Sequence, residues 1–379
     1  MPDKLIPLSQ IAEIIGGYAF KSSDFGKAGF PVVKIANIEP PTVNLASGER
    51  IPASKVTGLD KFRLNGRDIV MAMTGATIGK VGRIRSEETA YLNQRVAKIS
   101  AKTGREYDDF VYAIVSQTGF DAAVLNNSNG SAQANISTDG IGKILIPDFQ
   151  PTEQLQIGRI IGAIDDKIDL SRRMNETLEA IAKCIFKSWF VDASAGGLPE
   201  DWRESRLGDL ADVNWGDTNT TKAAYSTEGF PAFSASGCDG LLPHHDFDRI
   251  GVVVSAIGAN AGVTWLALGK WSCIKNTIRF WATEDEVSTE YLYYATLGKD
   301  KWPLRGSAQP FIAQGDARAM KIIVPSNQLA KRFGQIVEPF HLKISANNEE
   351  SRTLATLRDA LLPKLLSGEI RMHSSTTSA

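Results

Sequence analysis

The segment PTEQLQIGRIIGAIDDKIDLSRRMNETLEAIAKCIFKSWFVD, from Pro151 to Asp192, decides how the chain is organised. Its large apolar residues recur at helical spacing and fall along one stripe of an α-helix. They are Ile157, Ile160, Ile164, Ile168, Leu178, Ile181 and Ile185. A helix of about forty residues extends roughly 60 Å, far more than the average helix of a compact domain. A helix of this length needs a partner to cover its apolar stripe.

A second segment of the chain provides that partner. Adding 176 to each residue number gives a second stripe that is apolar at every position. Its residues are Phe333, Ile336, Phe340, Ile344, Leu354, Leu357 and Leu361. Polar residues interrupt both stripes at the same places, with Ser171 matching Asn347 and Asn175 matching Ser351. Because such residues fix the register of paired helices, we predict that the two stripes form the seam of an antiparallel coiled coil.

Three further expectations concern these helices. Two unrelated amphipathic surface helices are the alternative, although a shared offset is hard to obtain by chance. Pro339 stands where the first helix has Ala163, so the second helix is expected to kink there or to begin late, near Phe340. Asp165 and Asp166 are expected to lie on a solvated helix face rather than to form an acid/base pair.

The regions that precede the two helices are also copies of one another. Motifs recur in the same order in both, and the last motif of each copy comes just before a long helix. The matched segments are Leu8–Gly17 with Leu207–Gly216, Asp68–Ile84 with Gly251–Ala267, Tyr91–Ile99 with Cys273–Trp281, Gly130–Ile136 with Gly306–Ile312, and Lys143–Pro147 with Lys321–Pro325. The chain is therefore a tandem duplication in the order module, helix, module, helix.

The duplication sets the domain boundaries. A chain of 379 residues is too long for one hydrophobic core. The predicted segments are a first module at 1–150, a first long helix at 151–192, a linker at 193–199, a second module at 200–325, a second long helix at 326–368, and a polar tail at 369–379 that is typical of disorder. The predicted fold class is α+β, with two pseudo-repeated α/β modules separated by an antiparallel two-helix coiled coil.

Composition excludes several classes of protein. The net charge of −1 argues against a protein that coats nucleic acid indiscriminately, so any contact with a polyanion must come from local patches. Cys184, Cys238 and Cys273 are scattered and form neither a disulfide framework nor a CxxC metal pair. The sequence shows no signal peptide and no apolar run long enough to span a membrane, so we expect a cytoplasmic protein without membrane contact.

Catalytic motifs are missing from the sequence. It contains no phosphate-binding P-loop, no HExxH zinc motif and no metal-spaced Cys/His set. His244 and His245 are adjacent, which is more typical of a loop than of a shared metal site. We therefore predict no catalytic residues and no bound metal.

Two glycine loops have the form G-A-x-x-G between predicted strands, Gly75–Gly79 and Gly258–Gly262. Glycine lets the backbone approach a ligand closely, so a phosphate-binding nest is one interpretation. A tight structural connection between strands is the other, and both hold if the loop is a hairpin tip that touches a nucleic-acid backbone.

Polar residues near the repeated motifs are of the types that contact DNA. Amide and guanidinium groups can bond base edges in the major groove, and basic side chains can hold phosphates. The candidates for base edges are Asn93, Gln94, Arg95, Lys275, Asn276 and Arg279, those for phosphates are Lys80, Arg83 and Arg85, and those in the matched loops are Ser131, Gln133, Ser307 and Gln309. The alternative is that such residues cap the long helices or attach the modules to them.

The arrangement resembles a known family, the specificity (S) subunits of type I restriction-modification enzymes. The likeness is carried by the duplicated layout, by GSAQANI and GSAQPFI, and by LPEDWRESRLGDLADV at the start of the second module. It is also carried by IIGAIDDKIDLSRRMNETLEAIAKCIFKSWF and LATLRDALLPKLLSGEI in the two helices. Together these motifs are specific to the family, whereas any one of them alone is weak.

The resemblance implies a function. Each module is expected to be a target-recognition domain for one half of a split site on double-stranded DNA, and the paired helices are expected to set the unread gap. At roughly 60 Å the two half-sites lie about one and a half to two turns apart. The subunit is not an enzyme in this family. It recruits two methyltransferase (M) subunits, and two restriction (R) subunits complete the complex. No cofactor is expected in this chain, because S-adenosylmethionine, ATP and Mg²⁺ belong to the partner subunits.

Two other functions are weighed against this one. The first is a coiled-coil adaptor whose modules bind protein or carbohydrate. The second is an intrinsic nuclease or methyltransferase, for which no motif is present. Sequence-selective binding to a two-part DNA site distinguishes the leading hypothesis from both.

Overall fold

The computed structural model describes residues 4–129, 134–283 and 287–370. Contacts divide the chain into two compact units, with unit 1 containing residues 1–170 and 350–379 and unit 2 containing residues 171–349. Each unit therefore combines one repeated module with parts of both long helices. Most of the predicted polar tail, beyond residue 370, lies outside the described residues.

The α-helices comprise six short helices in the modules and two long ones in the described part of the chain. They are α1 (Asp108–Ser116), α2 (Phe120–Asn126), α3 (Thr138–Gly142), α4 (Pro151–Phe186), α5 (Leu207–Leu210), α6 (Thr289–Ala295), α7 (Gln314–Ala319) and α8 (Asn327–Leu366). Helices α3 and α6 begin after serine N-caps, because the hydroxyls of Ser137 and Ser288 accept bonds from the N–H groups of Gly140 and Tyr291 over 3.0 and 3.1 Å.

The second long helix, α8, begins at Asn327 and continues through Pro339. The expected late start near Phe340 is therefore wrong. Ala330 and Phe333 in its early turns are completely buried in the core of unit 2, and this packing stabilises helix that propensity alone would not. The first long helix, α4, continues as one π-helical turn from Lys187 to Val191.

Unit 1 is built on three sheets. Its strands are β1 (Leu5–Pro7), β2 (Ala12–Gly16), β3 (Phe30–Val33), β4 (Ile38–Glu39), β5 (Thr42–Val43), β6 (Arg50–Ile51), β7 (Arg63–Leu64), β8 (Ile69–Ala72), β9 (Val81–Arg83), β10 (Ala90–Leu92), β11 (Val96–Ala101) and β12 (Leu145–Pro147). The strand orders are β2-β11-β8-β9-β5-β4, β6-β3-β10-β7 and β1-β12.

Unit 2 also has three sheets. Its strands are β13 (Arg203–Arg206), β14 (Asn214–Trp215), β15 (Phe230–Ser234), β16 (Gly237–Leu242), β17 (Phe247–Asp248), β18 (Gly251–Ser255), β19 (Thr264–Ala267), β20 (Lys270–Cys273), β21 (Thr277–Phe280) and β22 (Lys321–Val324). The strand orders are β14-β21-β18-β19, β16-β15-β20-β17 and β13-β22.

The two units repeat one topology. The order β2-β11-β8-β9 corresponds to β14-β21-β18-β19, and β6-β3-β10-β7 corresponds to β16-β15-β20-β17. Even the parallel pairing of β3 with β10 recurs between β15 and β20. The hairpin β4-β5 extends the sheet in unit 1. The predicted internal repeat and the α+β fold class are confirmed.

Each unit has a core in which one central strand is buried on both faces. All residues of β8 and of β18 are buried, as expected for an apolar strand covered on both sides. In unit 1, α1 and the long helices close one face of the sheet, through residues such as Phe110, Ile157 and Leu365. In unit 2, Tyr291, Phe333 and Val337 occupy comparable places.

In both units the long helices pair in antiparallel fashion. In unit 1, Asp165 on α4 contacts Arg358 on α8 at 2.8 Å, and further along α4, Lys167 contacts Glu350 at 3.2 Å. In unit 2, Asn175 exchanges hydrogen bonds with Asn347 and Asn348 over 2.7 and 2.9 Å. Successive residues along α4 therefore contact residues of decreasing number on α8, so the two helices are antiparallel, as predicted.

The predicted seam needs two corrections. Ile157 and Phe333 are buried, and most other predicted seam residues are partly buried, but Ile181 and Leu357 are 43% and 46% exposed. At 3.6 residues per turn, each lies about 120° around its helix from the first residue of its stripe. The next residue faces inward instead: Ala182 is fully buried, and Arg358 reaches Asp165.

The expectation of a solvated helix face is wrong for Asp165, whereas the side chain of Asp166 is 43% exposed. Asp165 is only 5% exposed and is paired with Arg358. Asp166 is paired with Arg67 at 2.8 Å and with Arg85 at 3.0 Å. Periodicity placed both carboxylates outside the apolar stripe, but each pairs with arginines, Asp165 with one from α8 and Asp166 with two from the module.

Candidate nucleic-acid interface

The repeated motifs meet at one end of the central strand in unit 1. The N–H of Met73, just after β8, donates to the carbonyl of Arg95 over 2.9 Å. The carbonyl of Met73 accepts from the N–H of Ile136 over 2.9 Å, and the N–H of Gly75 donates to the carbonyl of Ala134 over 3.0 Å. Three segments distant in sequence, the glycine loop, the turn at 93–95 and the loop at 129–136, are thus held side by side.

Unit 2 repeats this arrangement bond for bond. Ala256 donates to the carbonyl of Asn276 and accepts from Ile312, both over 2.9 Å, and Gly258 donates to Pro310 over 2.8 Å. The pairs Ala134 and Pro310, and Ile136 and Ile312, differ by the same 176 residues as the long helices. The two loop clusters are therefore equivalent surfaces on equivalent frames.

Several predicted DNA-contacting residues lie on these surfaces. Gln94, Arg95, Lys275 and Asn276 are exposed on the matched turns, and Asn93 is half-buried. Asn276 has φ of 72°, a left-handed conformation that asparagine tolerates better than most residues. Lys80 is exposed beside the glycine loop of unit 1. DNA contact by these residues stays a prediction that their positions allow.

The GSAQ motif of unit 2 lies at a hairpin tip. In unit 2, Arg305 and Phe311 exchange two backbone hydrogen bonds of 2.9 Å, and Ser307 and Gln309 are exposed between them. In unit 1, Asn129 and Asn135 exchange equivalent bonds of 2.8 and 3.0 Å. Ser131 and Gln133 themselves lie outside the described residues.

Two arginines predicted to contact phosphates are interior residues, and the structure corrects both predictions. Arg83 is completely buried, with Asp109 at 2.7 Å, the carbonyl of Asp108 at 3.2 Å and the Tyr112 ring 4.3 Å from its guanidinium. Burial lowers the pKa of Arg83 and the charge of Asp109 opposes that shift. Arg85 is nearly buried against Asp166. Arg85 attaches the module to α4, which was the alternative interpretation, whereas Arg83 pairs with α1 inside the module.

Arg279 is the third correction. Its guanidinium lies 2.5 Å from Asp212 and 4.1 Å from the Trp281 ring centre, and its side chain is mostly buried. The matching strand position in unit 1 carries Lys98, which pairs with Asp68 at 2.7 Å. In both units the basic residue at this position therefore pairs with a carboxylate of its own unit rather than being free to contact DNA.

The glycine loops have a structural requirement for glycine. Gly75, Gly79, Gly258 and Gly262 all have φ between 75° and 87°, the left-handed region that favours glycine. A side chain at Gly79 or Gly262 would approach the Cα atoms of Asp121 or Lys299 to 3.0 or 3.1 Å, whereas the first glycine of the second loop, Gly258, faces open space. The second glycine of each loop, Gly79 or Gly262, thus allows close packing within its module, whereas Gly258 has open space around it.

The structure shows contacts that sequence analysis missed. Arg67 bridges Asp109 at 2.7 Å and Asp166 at 2.8 Å, linking the module of unit 1 to α4. No local pattern marks this residue. The segments that follow Gly17 and Gly216 contained no predicted site residue, although these two glycines end matched motifs.

Two other possible kinds of site receive no support in the described ranges. Across residues 4–129, 134–283 and 287–370 no cluster of ligand-type side chains is suited to a metal ion. His244 lies 3.7 Å from Asp246, and His245 packs on the Phe230 ring. No helix within those ranges combines the length and apolar character needed to cross a bilayer.

Comparison with known proteins identifies the family. The model of the type I restriction modification DNA specificity domain matches residues 4–180 and 199–355, one match for each repeat. The chain belongs to this family. The MjaIX specificity subunit of Methanocaldococcus jannaschii is 23% identical over 97% of this chain and 93% of its own length. The HindI specificity subunit of Haemophilus influenzae is 22% identical over 69% of this chain and 76% of its own length.

A solved structure has the same fold as this specificity-domain protein. The S subunit of a type I restriction-modification system from M. genitalium superposes with a TM-score of 0.67, at 18% identity, over 98% of this chain and 96% of that one. This likeness shows that a second protein has the same duplicated fold.

Proposed function

We propose that this chain is the sequence-reading, non-catalytic specificity subunit of a type I restriction-modification complex. The observation that carries the proposal is that one backbone frame occurs twice and presents different exposed side chains. Gln94 and Arg95 on the turn of unit 1 correspond to Lys275 and Asn276 in unit 2. A frame that is kept while its polar side chains change is what two readers of unlike DNA half-sites require.

Base-edge contacts would supply the selectivity. Arginine and lysine bond guanine, and asparagine and glutamine bond adenine, in the major groove. The chain has a net charge of −1, so nonspecific attraction to phosphates is weak and affinity depends on local contacts and on partner subunits. Family relatives named as specificity subunits support this function and give no support to the adaptor alternative.

The partners are part of the proposal. Two methyltransferase subunits and two restriction subunits would assemble with this chain in the cytoplasm, and S-adenosylmethionine, ATP and Mg²⁺ would bind to those partners. Support for paired partner sites comes from the exposed apolar residues Ile181 and Leu357, which differ by 176 in number. A cleft in unit 2 lined by Lys183 and Phe186 is matched in unit 1 by a cleft lined by Asp359 and Leu362, at the same offset.

Selection from a randomised DNA duplex library tests the function. The chain, assembled with its methyltransferase partner, is expected to enrich a site of two short defined sequences separated by an undefined gap. Enrichment of a single continuous sequence, or of none, would reject the proposal. Replacing Arg95 with alanine is expected to relax only one half of the site, and replacing Lys275 only the other.

The number of methyltransferase copies can be tested separately. Native mass spectrometry of the complex is expected to show two copies, and Ile181→Ser or Leu357→Ser to remove one copy each. Leu342→Ser is the matched control, because Leu342 is exposed but corresponds to the charged residue Asp166. Loss of both copies from one substitution would contradict two separate sites.

The role of the long helices in spacing the half-sites has its own test. Inserting four residues into both α4 and α8 lengthens each by about one turn, or roughly 5.4 Å. The undefined gap is then expected to grow by no more than about half a turn of DNA. An unchanged gap would show that the helices do not set it.

A further inference from the structure

A second segment lies beside the predicted reading turn in each unit. In unit 1 the segment that follows Gly17 is hydrogen-bonded to the residues on either side of the turn at 93–95. The N–H of Gly17 donates to the carbonyl of Val96 over 3.1 Å, and the N–H of Tyr18 donates to the carbonyl of Leu92 over 2.9 Å. In unit 2 the N–H of Gly216 donates to the carbonyl of Thr277 over 3.0 Å, and the N–H of Asp217 donates to the carbonyl of Cys273 over 2.8 Å. The two segments therefore occupy the same place.

The glycine that begins each segment makes this closeness possible. A Cβ atom on Gly17 would lie 2.0 Å from the carbonyl oxygen of Asn93. A Cβ atom on Gly216 would lie 2.6 Å from the carbonyl oxygen of Ile274. Any other residue would push the segment away from the turn, so the fold holds segment and turn as one surface.

Hydrogen bonds and ion pairs also hold both segments in place. In unit 1, Asp24 accepts a bond from the N–H of Lys21 over 2.9 Å and pairs with Lys55 at 3.1 Å. In unit 2, Asp217 accepts bonds from Thr220 and from the N–H of Asn219, and Lys222 pairs with Asp239. Rigid loops lose little conformational entropy on binding, which favours selective contacts.

The side chains on this common frame differ in chemistry. Unit 1 presents Tyr18, 39% exposed, whose ring rests on Phe20 and Phe62 at centre distances of 4.9 and 5.4 Å. Unit 2 presents Thr218 and Asn219, both exposed. The backbone N–H of Asn219 donates to Asp217. Its side-chain amide has no hydrogen-bond partner within the described residues.

We propose that Tyr18 in unit 1 and Asn219 in unit 2 are specificity-determining residues that contact a base pair next to the one contacted by the neighbouring turn. The inference rests on the proposed function. Asn219 can bond the N6 and N7 atoms of adenine with both atoms of its amide, and Tyr18 can offer its hydroxyl to a base edge and its ring to a thymine methyl group. Each residue acts on the half-site of its own unit.

The test compares DNA sites selected by the full chain in complex with its methyltransferase partner. Asn219→Ala is expected to lower discrimination about tenfold or more at one base pair of one half-site. Tyr18→Leu, which keeps apolar bulk against Phe20 and Phe62, is expected to do the same at one base pair of the other half-site. Gln335→Ala is the control, because it removes an exposed amide from α8 in unit 2.

The possible outcomes are distinct. Unchanged selectivity of Asn219→Ala and Tyr18→Leu, with the bipartite site intact, overturns this inference and leaves the proposed function standing. Equal weakening on all sequences also overturns it, because that result indicates phosphate contact. A wild-type complex that selects no bipartite site rejects the proposed function itself. Thermal unfolding of each variant verifies that selectivity is compared between folded proteins.

Discussion

Arg358 on α8 donates a hydrogen bond of 2.8 Å to the carboxylate of Asp165 on α4, and the carboxylate is almost completely buried. Burial disfavours the charge of Arg358, but the hydrogen bonds and charges of Asp165 and Asp359 together outweigh it and raise the pKa of the guanidinium. The positions that match this pair in unit 2 carry His341 and Ala182, both buried. At equivalent buried positions, unit 1 therefore has an ion pair between Asp165 and Arg358, and unit 2 has the neutral ring of His341.

Replacing Arg358 with methionine is expected to destabilise unit 1 by about 2 to 4 kcal/mol, because Asp165 is then left buried without its partner. Urea unfolding measures the change. Arg352→Met is the control, since Arg352 is exposed on the same helix, and a change within about 0.5 kcal/mol is expected for it. Equal effects of the two substitutions would refute a special role for the Asp165 pair.

His341 makes the stability of unit 2 depend on pH. Burial lowers the pKa of His341 from 6.5 to about 4, and its Nε2 atom lies 3.2 Å from the hydroxyl of Tyr294. Between these values the unfolded chain binds a proton that the folded chain does not, so stability falls as the pH drops from about 6.5 to about 4. The loss is at most about 3 kcal/mol.

The measurement is the free energy of unfolding as a function of pH, for wild type and for His341→Gln. The variant is expected to show a smaller slope in that window, since its side chain does not titrate. His244→Gln, which removes an exposed histidine, serves as the control. A slope that is the same in wild type and His341→Gln would argue that His341 is protonated in the folded protein.

Arg83 and Arg95 are expected to respond in opposite ways. Arg83→Met removes one of the two arginines that pair with the partly buried Asp109, so unfolding is expected to become easier by about 1.5 to 3 kcal/mol. Arg95→Ala is expected to leave stability within about 0.5 kcal/mol of wild type and to reduce sequence selectivity. Chemical unfolding and duplex selection are measured on both variants. Reduced selectivity in a fully folded Arg83→Met protein would reverse the assignment.

Two matched glycines set how closely the module helices approach the long helices. A Cβ atom at Gly158 would lie 2.8 Å from the backbone nitrogen of Phe110, and one at Gly334 would lie 2.6 Å from the hydroxyl of Ser288. Gly158→Ala is therefore expected to lower the melting temperature, although alanine favours helix by about 1 kcal/mol.

Gly315→Ala is the control for this prediction. Gly315 lies in α7 with open space around its Cα atom, so substitution there is expected to raise stability by about 0.4 to 1 kcal/mol. Stabilisation by both substitutions would show that the contact at Gly158 is not tight.

The loop surfaces were partly predictable. The repeats placed the glycine loops, the turns at 93–95 and 274–276 and the described residues next to the GSAQ motifs in corresponding positions, because copies of one sequence fold alike. The segments after Gly17 and Gly216 were not singled out, because their side chains differ. Only the backbone hydrogen bonds to the neighbouring turns show that Tyr18 and Asp217 occupy equivalent positions in the two units.

The sequence by itself determined the duplication, the two long helices and their antiparallel pairing. These follow from periodicity and repetition, which can be read from the order of the residues alone. Only the tertiary structure decided which basic residues are available to DNA. Arg83 meets Asp109 across 26 residues of sequence, and Arg67 meets Asp166 across 99. Charge pairing and burial of this kind arise when distant segments pack together, so no local pattern separates an interior arginine from an exposed one.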